Sequence, residues 1–465
     1  MIKRTLPLLA LGIGLLIPAH AARAVENSKD PAKALEQGFA DPAPEFGPRT
    51  WWHWINELVT KDGITKDLEA MKRLGYRGAH IVNLPSGGSK AAHGDDVVGT
   101  PQWMEKVEFT TKEAERLGLE LSIGSCPGWV AGGPWITPEL SMQDIVWRDL
   151  HVQGPNSSPI QLPQPQTNKG FYKDIAVLAF PTLPGDATPL ASYKPVVTSN
   201  VPGIDWAAAI DGNPETFVNL PPWKKDEKNR QVIFEFKEPV PVRSIHLQMQ
   251  EDSERHAVKL SVSDNGTDWK PLGSAGRWRK HFLPSREERI EGFQEQTARF
   301  VKLDFEPPKP EVGMKLYEVN VQSARLDSLH TKAARTRTQP PVSNPSTQMI
   351  AGDQCIKLGQ ILDLTDRLQP DGTLDCQLPE GQWTIVRFGH TTNGNKVGPA
   401  SERSEGLETD KMSAEATKFH LDQGLLGPTL RSLGDLVGKV MVEANIDSWE
   451  SNCQTWTSKF PEEFQ

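Results

Sequence analysis

The stretch RTWWHWINELVTKDGITKDLEAMKRLGYRGAHIVNL, residues 49–84, decides the fold class. Its first eight residues are rich in aromatic and β-branched side chains and read as a strand. Ile64, Leu68, Met71 and Leu74 then recur at helical spacing. Thr60 stands where an N-cap hydroxyl accepts from the orphan N–H groups of a first turn, and Gly75 stands just past the end. RGAHIVNL, residues 77–84, reads as a second strand. The rhythm repeats downstream. Residues 100–119 form a helix capped by Thr100, entered at Pro101 and stopped at Gly118, and ELSIGSC, 120–126, is a third strand. Strands joined by helical crossovers this short run parallel. The expected class is therefore α/β, with residues 48–145 as the first part of a (β/α) TIM-type barrel and a doubly wound sheet as the alternative.

The alternation then stops. Residues 146–189 are proline-rich and read as an irregular connection, and 190–325 read as all-β. Val232, Phe234 and Phe236 alternate with polar residues, as do Ile245, Leu247 and Met249, then Val258, Leu260 and Val262, then Val301, Leu303 and Phe305. Period two with one polar face is a sandwich pattern. AAIDGNPETFVN (208–219) and LSVSDNGTDWKPL (260–272) resemble discoidin-type, galactose-binding-like β-sandwiches, a fold that in some cases binds sugars. Residues 326–400 read as a linker followed by β-hairpins. Residues 401–465 return to the barrel pattern: a helix that Gly424, Gly427 and Pro428 should break, then GKVMVEANID as a fourth strand.

Ahead of these elements, residues 1–24 carry Lys3 and Arg4, an apolar run, and small-x-small cleavage patterns at Ala19–Ala21 and Ala22–Ala24, which together describe a secretory signal peptide. A polar lead-in, 25–47, follows. The mature protein is expected to be periplasmic or secreted, with no membrane span. A net charge of −9 without a basic patch argues against nucleic acid as a partner. Fourteen Trp against four Tyr is a skewed choice that suits stacking on sugar rings, although Trp is also a common core residue. The four cysteines, Cys126, Cys355, Cys376 and Cys453, lack zinc-ligand spacing. They read mainly as free buried thiols, with Cys355–Cys376 the pair to bridge if any does.

In such barrels the working residues sit at the C-terminal ends of strands. That rule selects His53, Trp54 and Asn56 after the first strand, Asn83 after the second, Trp129 after the third, and Asp447, Trp449 and Glu450 after the fourth. Aromatics, amides and acids on one rim suit a carbohydrate, and glycosidic bonds are cleaved with two carboxyl groups. Glu450 is the candidate proton donor and the other seven are candidate substrate contacts. A helix cap or a surface charge is the alternative for either acid. ERSEGLETDK, with acids from Glu402 to Asp410, offers oxygen ligands for calcium or forms a solvated loop.

PRTWWHWIN, GITKDLEAMKRLG, GWVAGGPWITPELSM, EGLETDKMS and IDSWESNCQTWTSKFPEEF, in this order, resemble the bacterial α-L-rhamnosidases of glycoside hydrolase family 106. The resemblance implies a barrel enzyme that removes terminal α-L-rhamnose with inversion and places Glu450 of the DSWE motif at the acid catalyst. Calcium accompanies some members, and no residue here identifies its ligands. Two departures stand out. Glu57 replaces an expected small residue, commonly Gly. The chain also ends where family members continue, so four strands and the second catalytic carboxylate are expected beyond residue 465, and the isolated chain is expected to be inactive or poorly soluble. A non-catalytic carbohydrate-binding protein is the alternative function.

Overall fold

The computed structural model describes residues 30–43, 46–86, 91–183, 186, 190–213, 216–225, 227–249, 258–275, 287–306, 313–322, 352, 355–449 and 454–464. The signal-peptide segment, most of the linker and Glu450 lie outside them. The chain forms two compact units. The first comprises residues up to Gly124 together with Thr429–Asn445, and the second comprises Ser125–Pro428 and the residues from Ile446 onward. The compact unit that holds the parallel strands thus runs to Gly124. Of residues 401–465, only 429–445 return to it.

The first unit holds helix α1 (Pro31–Ala40), strand β1 (Arg49–Ile55), helix α2 (Lys61–Arg73), strand β2 (Gly78–Leu84), helix α3 (Pro101–Leu117), strand β3 (Glu120–Gly124) and strand β4 (Met441–Asn445). The four strands lie in the order β1-β2-β3-β4, every neighbour parallel. The sheet is open, with β1 and β4 at its edges. The local signals hold. The Thr60 hydroxyl accepts from Gly63 N, Thr100 caps α3, and Gly118 closes α3 with a left-handed φ of 61°. The polar lead-in contains α1, whose cap Asp30 accepts from Ala32 N and Lys33 N.

Parity along the strands decides what each side chain meets. Trp52 and Trp54 in β1, Ile81 and Asn83 in β2, and Leu121 and Ile123 in β3 share the face covered by helices. Trp52 Nε1 donates to Asp67 Oδ2 of α2 at 3.0 Å, and the indole of Trp54 meets those of Trp52 and Trp103 edge-on. Ile64, Leu68 and Val107 on the helices are fully buried, each burial contributing about 1.5–3 kcal/mol. The opposite face carries Trp51, His53 and Ile55. Trp51 is 47% exposed, and its ring stands 6.1 Å from those of His53 and His80. At one end of that face Arg49 pairs with both Glu120 and Glu443, and Arg77 also pairs with Glu120. Burial alone would raise the pKa of Glu120, but the two guanidiniums hold it below the usual carboxylate range.

In the second unit, the stretch read as an irregular connection includes two long strands. The strands Gln143–Gly154 and Lys173–Pro181 both pair antiparallel with Gly381–Thr392, and Leu362–Asp363 extends that sheet. No hairpin signal announces them, because their shared partner lies more than 200 residues away by the register Gly154↔Gly381. Residues 196–322 contribute a seven-stranded antiparallel sheet. Its two long strands, Arg230–Met249 and Glu287–Phe305, pair with each other across bulges near Glu235/Val240 and Val242/Ser244. All four alternating triplets anticipated from the sequence, from Val232 to Phe305, lie in one core around these strands. Ala414–Gln423 and Leu426–Leu433 are separate helices, broken at Gly424 as expected, whereas Gly427 and Pro428 lie in the first turn of the second helix, where the missing proline N–H costs no intrahelical bond. Cys126, Cys355 and Cys376 are free, so the Cys355–Cys376 bridge is absent, and Cys355 is exposed rather than buried. Cys453 falls outside the described residues.

Candidate active site

Of the four site candidates in the first unit, parity removes two. Trp54 is buried among Trp52, Trp103 and the helices, and Asn83 Oδ1 accepts from Trp103 Nε1 at 2.9 Å on the same covered face. Both are core residues, since even spacing from Trp52 and Ile81 turns them toward the helices. Asn56 is buried as well and works as a loop clamp. Its Nδ2 donates to Ser86 O at 2.9 Å and its Oδ1 accepts from Ser86 N at 2.6 Å. Asn56 and Glu57 both adopt left-handed backbone, φ 52° and 60°. That conformation is the physical reason a Gly would suit position 57. His53 alone of the four is exposed, on the face opposite the helices beside Trp51.

The second unit gathers the other candidates with residues the sequence reading had set aside. The loop after β3 is anchored by Cys126 Sγ donating to Gly128 O and by Trp129 N donating to Gly398 O at 3.4 Å. A Cβ on Gly128 would stand 2.5 Å from Pro399 O, so only glycine lets these segments approach. The same loop pairs with the EGLETDKMS segment through Gly132↔Glu408 and Gly133↔Leu407. On its other side, Ser448 N donates to Trp129 O at 3.3 Å. Trp129 is thereby brought to the segment that carries Asp447 and Trp449. Asp447 is exposed, and Trp449 is 45% exposed with Lys411 Nζ 5.1 Å over its ring. Glu450, the proposed acid, lies outside the described residues.

The acidic run is not a solvated loop. Glu408 is fully buried, Thr409 and Asp410 nearly so. Glu408 Oε1 pairs with Lys411, while Oε2 has no hydrogen-bond partner, and neither does the side chain of buried Asn395, whose carbonyl accepts from Glu408 N. Asp410 Oδ1 accepts from Met412 N at 2.9 Å and Gln454 Nε2 at 2.6 Å, and Oδ2 accepts from Thr457 Oγ1 at 2.8 Å. Glu405 pairs with Lys396. Glu405 and Asp410 are thus engaged by protein donors, whereas buried Glu408 keeps one oxygen unpaired. Among the described residues no group of three or more His, Cys, Asp and Glu is arranged to hold a metal.

Burial dominates the electrostatics of the surroundings. It pushes the Cys126 thiol up to about 11, although Lys411 acts to lower it, so this cysteine is no nucleophile at neutral pH. His420 is brought down to about 4 by burial and then by the charge of Lys411. It accepts a hydrogen bond from Trp135 Nε1 on its Nδ1 at 3.1 Å, so the neutral ring carries its proton on Nε2. His390 is also brought down to about 4, by burial and Lys173. Neither imidazole is charged at neutral pH.

Comparison with known proteins follows this geometry. The chain is 30% identical over 432 residues to a Formosa agariphila protein named "Putative beta-glucuronidase", matching 93% of this chain and 25% of that one. It superposes on the solved rhamnosidase of Novosphingobium sp. PP1Y with a TM-score of 0.75 and 29% identity, covering 93% of this chain and 41% of that one. The chain therefore spans a quarter to two-fifths of the length of these relatives. The α-L-rhamnosidase family model of glycoside hydrolase family 106 matches residues 40–465, and the chain belongs to that family.

Proposed function

We propose that this chain is the N-terminal part of an exported glycosidase that removes terminal α-L-rhamnose from glycans or glycosides. The family match over residues 40–465, which includes the DSWE segment, carries this reading. The four parallel strands in sequential order are consistent with half of a (β/α) barrel. The exposed face bearing Trp51, His53 and Ile55 is then the half-interior that further strands would cover. The antiparallel region from Val196 to Gln322 is read as a galactose-binding-like module.

In the proposed mechanism Glu450 protonates the leaving oxygen. A second carboxylate, supplied beyond residue 465, activates water from the opposite face of the sugar at the wider separation, roughly 6.5–9.5 Å, that inversion needs. Trp449 offers a flat apolar surface to the sugar ring, and Asp447 on the same segment offers a hydroxyl partner. The test uses the complete natural gene product with an aryl α-L-rhamnoside and follows the anomer released. Glu450→Gln is expected to lower turnover by about 10²–10⁴ with unchanged thermal unfolding. Near-normal turnover by that variant removes Glu450 from the mechanism. Sugar binding without hydrolysis by the wild type would favour a carbohydrate-binding protein instead.

A further inference from the structure

The segment from Ile446 to Thr457, which carries Asp447, Trp449 and Glu450, has no regular structure among its described residues. Something must fix it if an acid on it is to act, because misplacing a catalytic group by about 1 Å costs about 100-fold in rate. Its near end is held by a backbone bond from Ser448 N to Trp129 O and by Lys411 over the ring of Trp449. Its far end is held in two ways. Thr455 N and Trp456 N donate to Gln143 O, and the Thr455 hydroxyl sits between Asp144 Oδ1 and Ile145 N, which fixes the backbone at 455–456. The second hold is Asp410. It is 4% exposed and spends both carboxylate oxygens on Gln454 Nε2 and Thr457 Oγ1, which flank that backbone anchor, and on its own Met412 N.

We propose that Asp410 is a positioning residue for the acid-bearing segment, a buried carboxylate that sets its approach by gripping Gln454 and Thr457 from the EGLETDKMS segment. This rests on Glu450 being the proton donor. The chemistry favours a carboxylate at this place. Three donors from three directions converge on two oxygens, and charge-assisted bonds are about twice as strong as neutral ones. An amide keeps the connectivity, because the Thr457 hydroxyl can turn to accept from it, whereas Ala keeps none of it.

The test uses the complete gene product and two independent readouts. Amide hydrogen exchange of 446–458 is compared in wild type, Asp410→Asn, Asp410→Ala and, as a route that leaves the buried acid in place, Gln454→Met. Exchange there is expected to rise at least tenfold in Asp410→Ala and several-fold in Gln454→Met, with the β1–β4 sheet unchanged and Asp410→Asn close to wild type. In parallel, kcat/KM is measured on a phenyl α-L-rhamnoside, whose leaving group needs protonation, and on a dinitrophenyl one, which needs little. A displaced acid in Asp410→Ala should lose about 100-fold on the first and under tenfold on the second, restored by Asn. Unchanged exchange at 446–458 in Asp410→Ala overturns the proposal. So does an equal loss on both substrates, or no loss where Glu450→Gln is inactive. If the wild type cleaves neither rhamnoside, the functional reading fails, and the exchange experiment still decides whether Asp410 holds the segment.

Discussion

Lys411→Met is the perturbation that weighs the buried charge beside Trp449 most directly. Glu408 has no exposed surface, its Oε1 is engaged by Lys411, and its Oε2 has no hydrogen-bond partner. Methionine keeps much of the lysine stem but removes the ammonium, which leaves a carboxylate that water does not reach. Breaking a buried pair in this way costs about 3–5 kcal/mol, and losing the ammonium over the Trp449 ring adds about 0.5–1 kcal/mol. Glu408→Gln is the milder half of the cycle. It strands only a lysine that is 14% exposed and can turn toward solvent, so it should cost about 1.5–3 kcal/mol, the worth of a hydrogen bond to a charged group. The double variant carries no unpaired charge and should regain about 2–3 kcal/mol relative to Lys411→Met alone. Urea unfolding followed by tryptophan fluorescence reads these differences as midpoint shifts, provided the slopes agree. A cost below 1 kcal/mol for Lys411→Met, or a double variant as unstable as the sum of the singles, would refute the picture of a buried, mutually dependent pair.

Three further outcomes follow from the packing. Leu68→Ala opens a cavity between α2 and the sheet and should cost about 2–5 kcal/mol, measured as a denaturation midpoint shift. Gly118→Ala should cost only about 1 kcal/mol, since φ is 61° and the nearest atom to a new Cβ is the mobile Lys72 Nζ at 3.7 Å. Gly94→Ala should cost several times more, because its Cβ would stand 1.9 Å from Glu57 O. Glu318 has its pKa raised to about 8, by burial first and then by the charge of Asp211. Its folded form therefore holds a proton that the unfolded chain releases near pH 4.5. Stability of the antiparallel region should fall as pH rises from about 4.5 to about 8, and Glu318→Gln should flatten that slope in thermal unfolding across the range.

The parts of the fold that were legible are those written locally. Thr60 and Gly75, and Thr100 and Gly118, bracket helices within a few residues of chain, and the alternating triplets from Val232 to Phe305 declare a buried face without reference to any partner. The sheet built on Gln143–Gly154 was not legible, because what makes it a strand is pairing with Gly381–Thr392 across an intervening region with a core of its own. The acidic run failed for the same reason. Glu408 and Asp410 look solvated by composition, and the burial of Asp410 shows only through Gln454 and Thr457, which it grips from 44 and 47 residues away. Partners more than 40 residues away leave no periodic trace.

The site residues of the first unit carry a sharper lesson, because the deciding signal was present. The rule that barrel enzymes place chemistry at the C-terminal ends of strands selects a position along a strand, but it does not select a face. Face is set by parity. Trp52 and Trp54 cannot lie on opposite sides of a regular strand, nor can Ile81 and Asn83, so once Trp52 and Ile81 are assigned to the helix-packed layer, Trp54 and Asn83 follow them. His53, one step out of phase, is left exposed on the opposite face with Trp51 and Ile55. Applied together, the two rules keep His53 as a substrate-facing candidate and assign Trp54 and Asn83 to stability. His53→Ala should therefore affect the handling of sugar far more than unfolding, whereas Asn83→Leu, which removes the acceptor of the Trp103 indole, should do the reverse. Equal loss of stability in the two variants would mean that strand parity does not sort function from packing in this sheet.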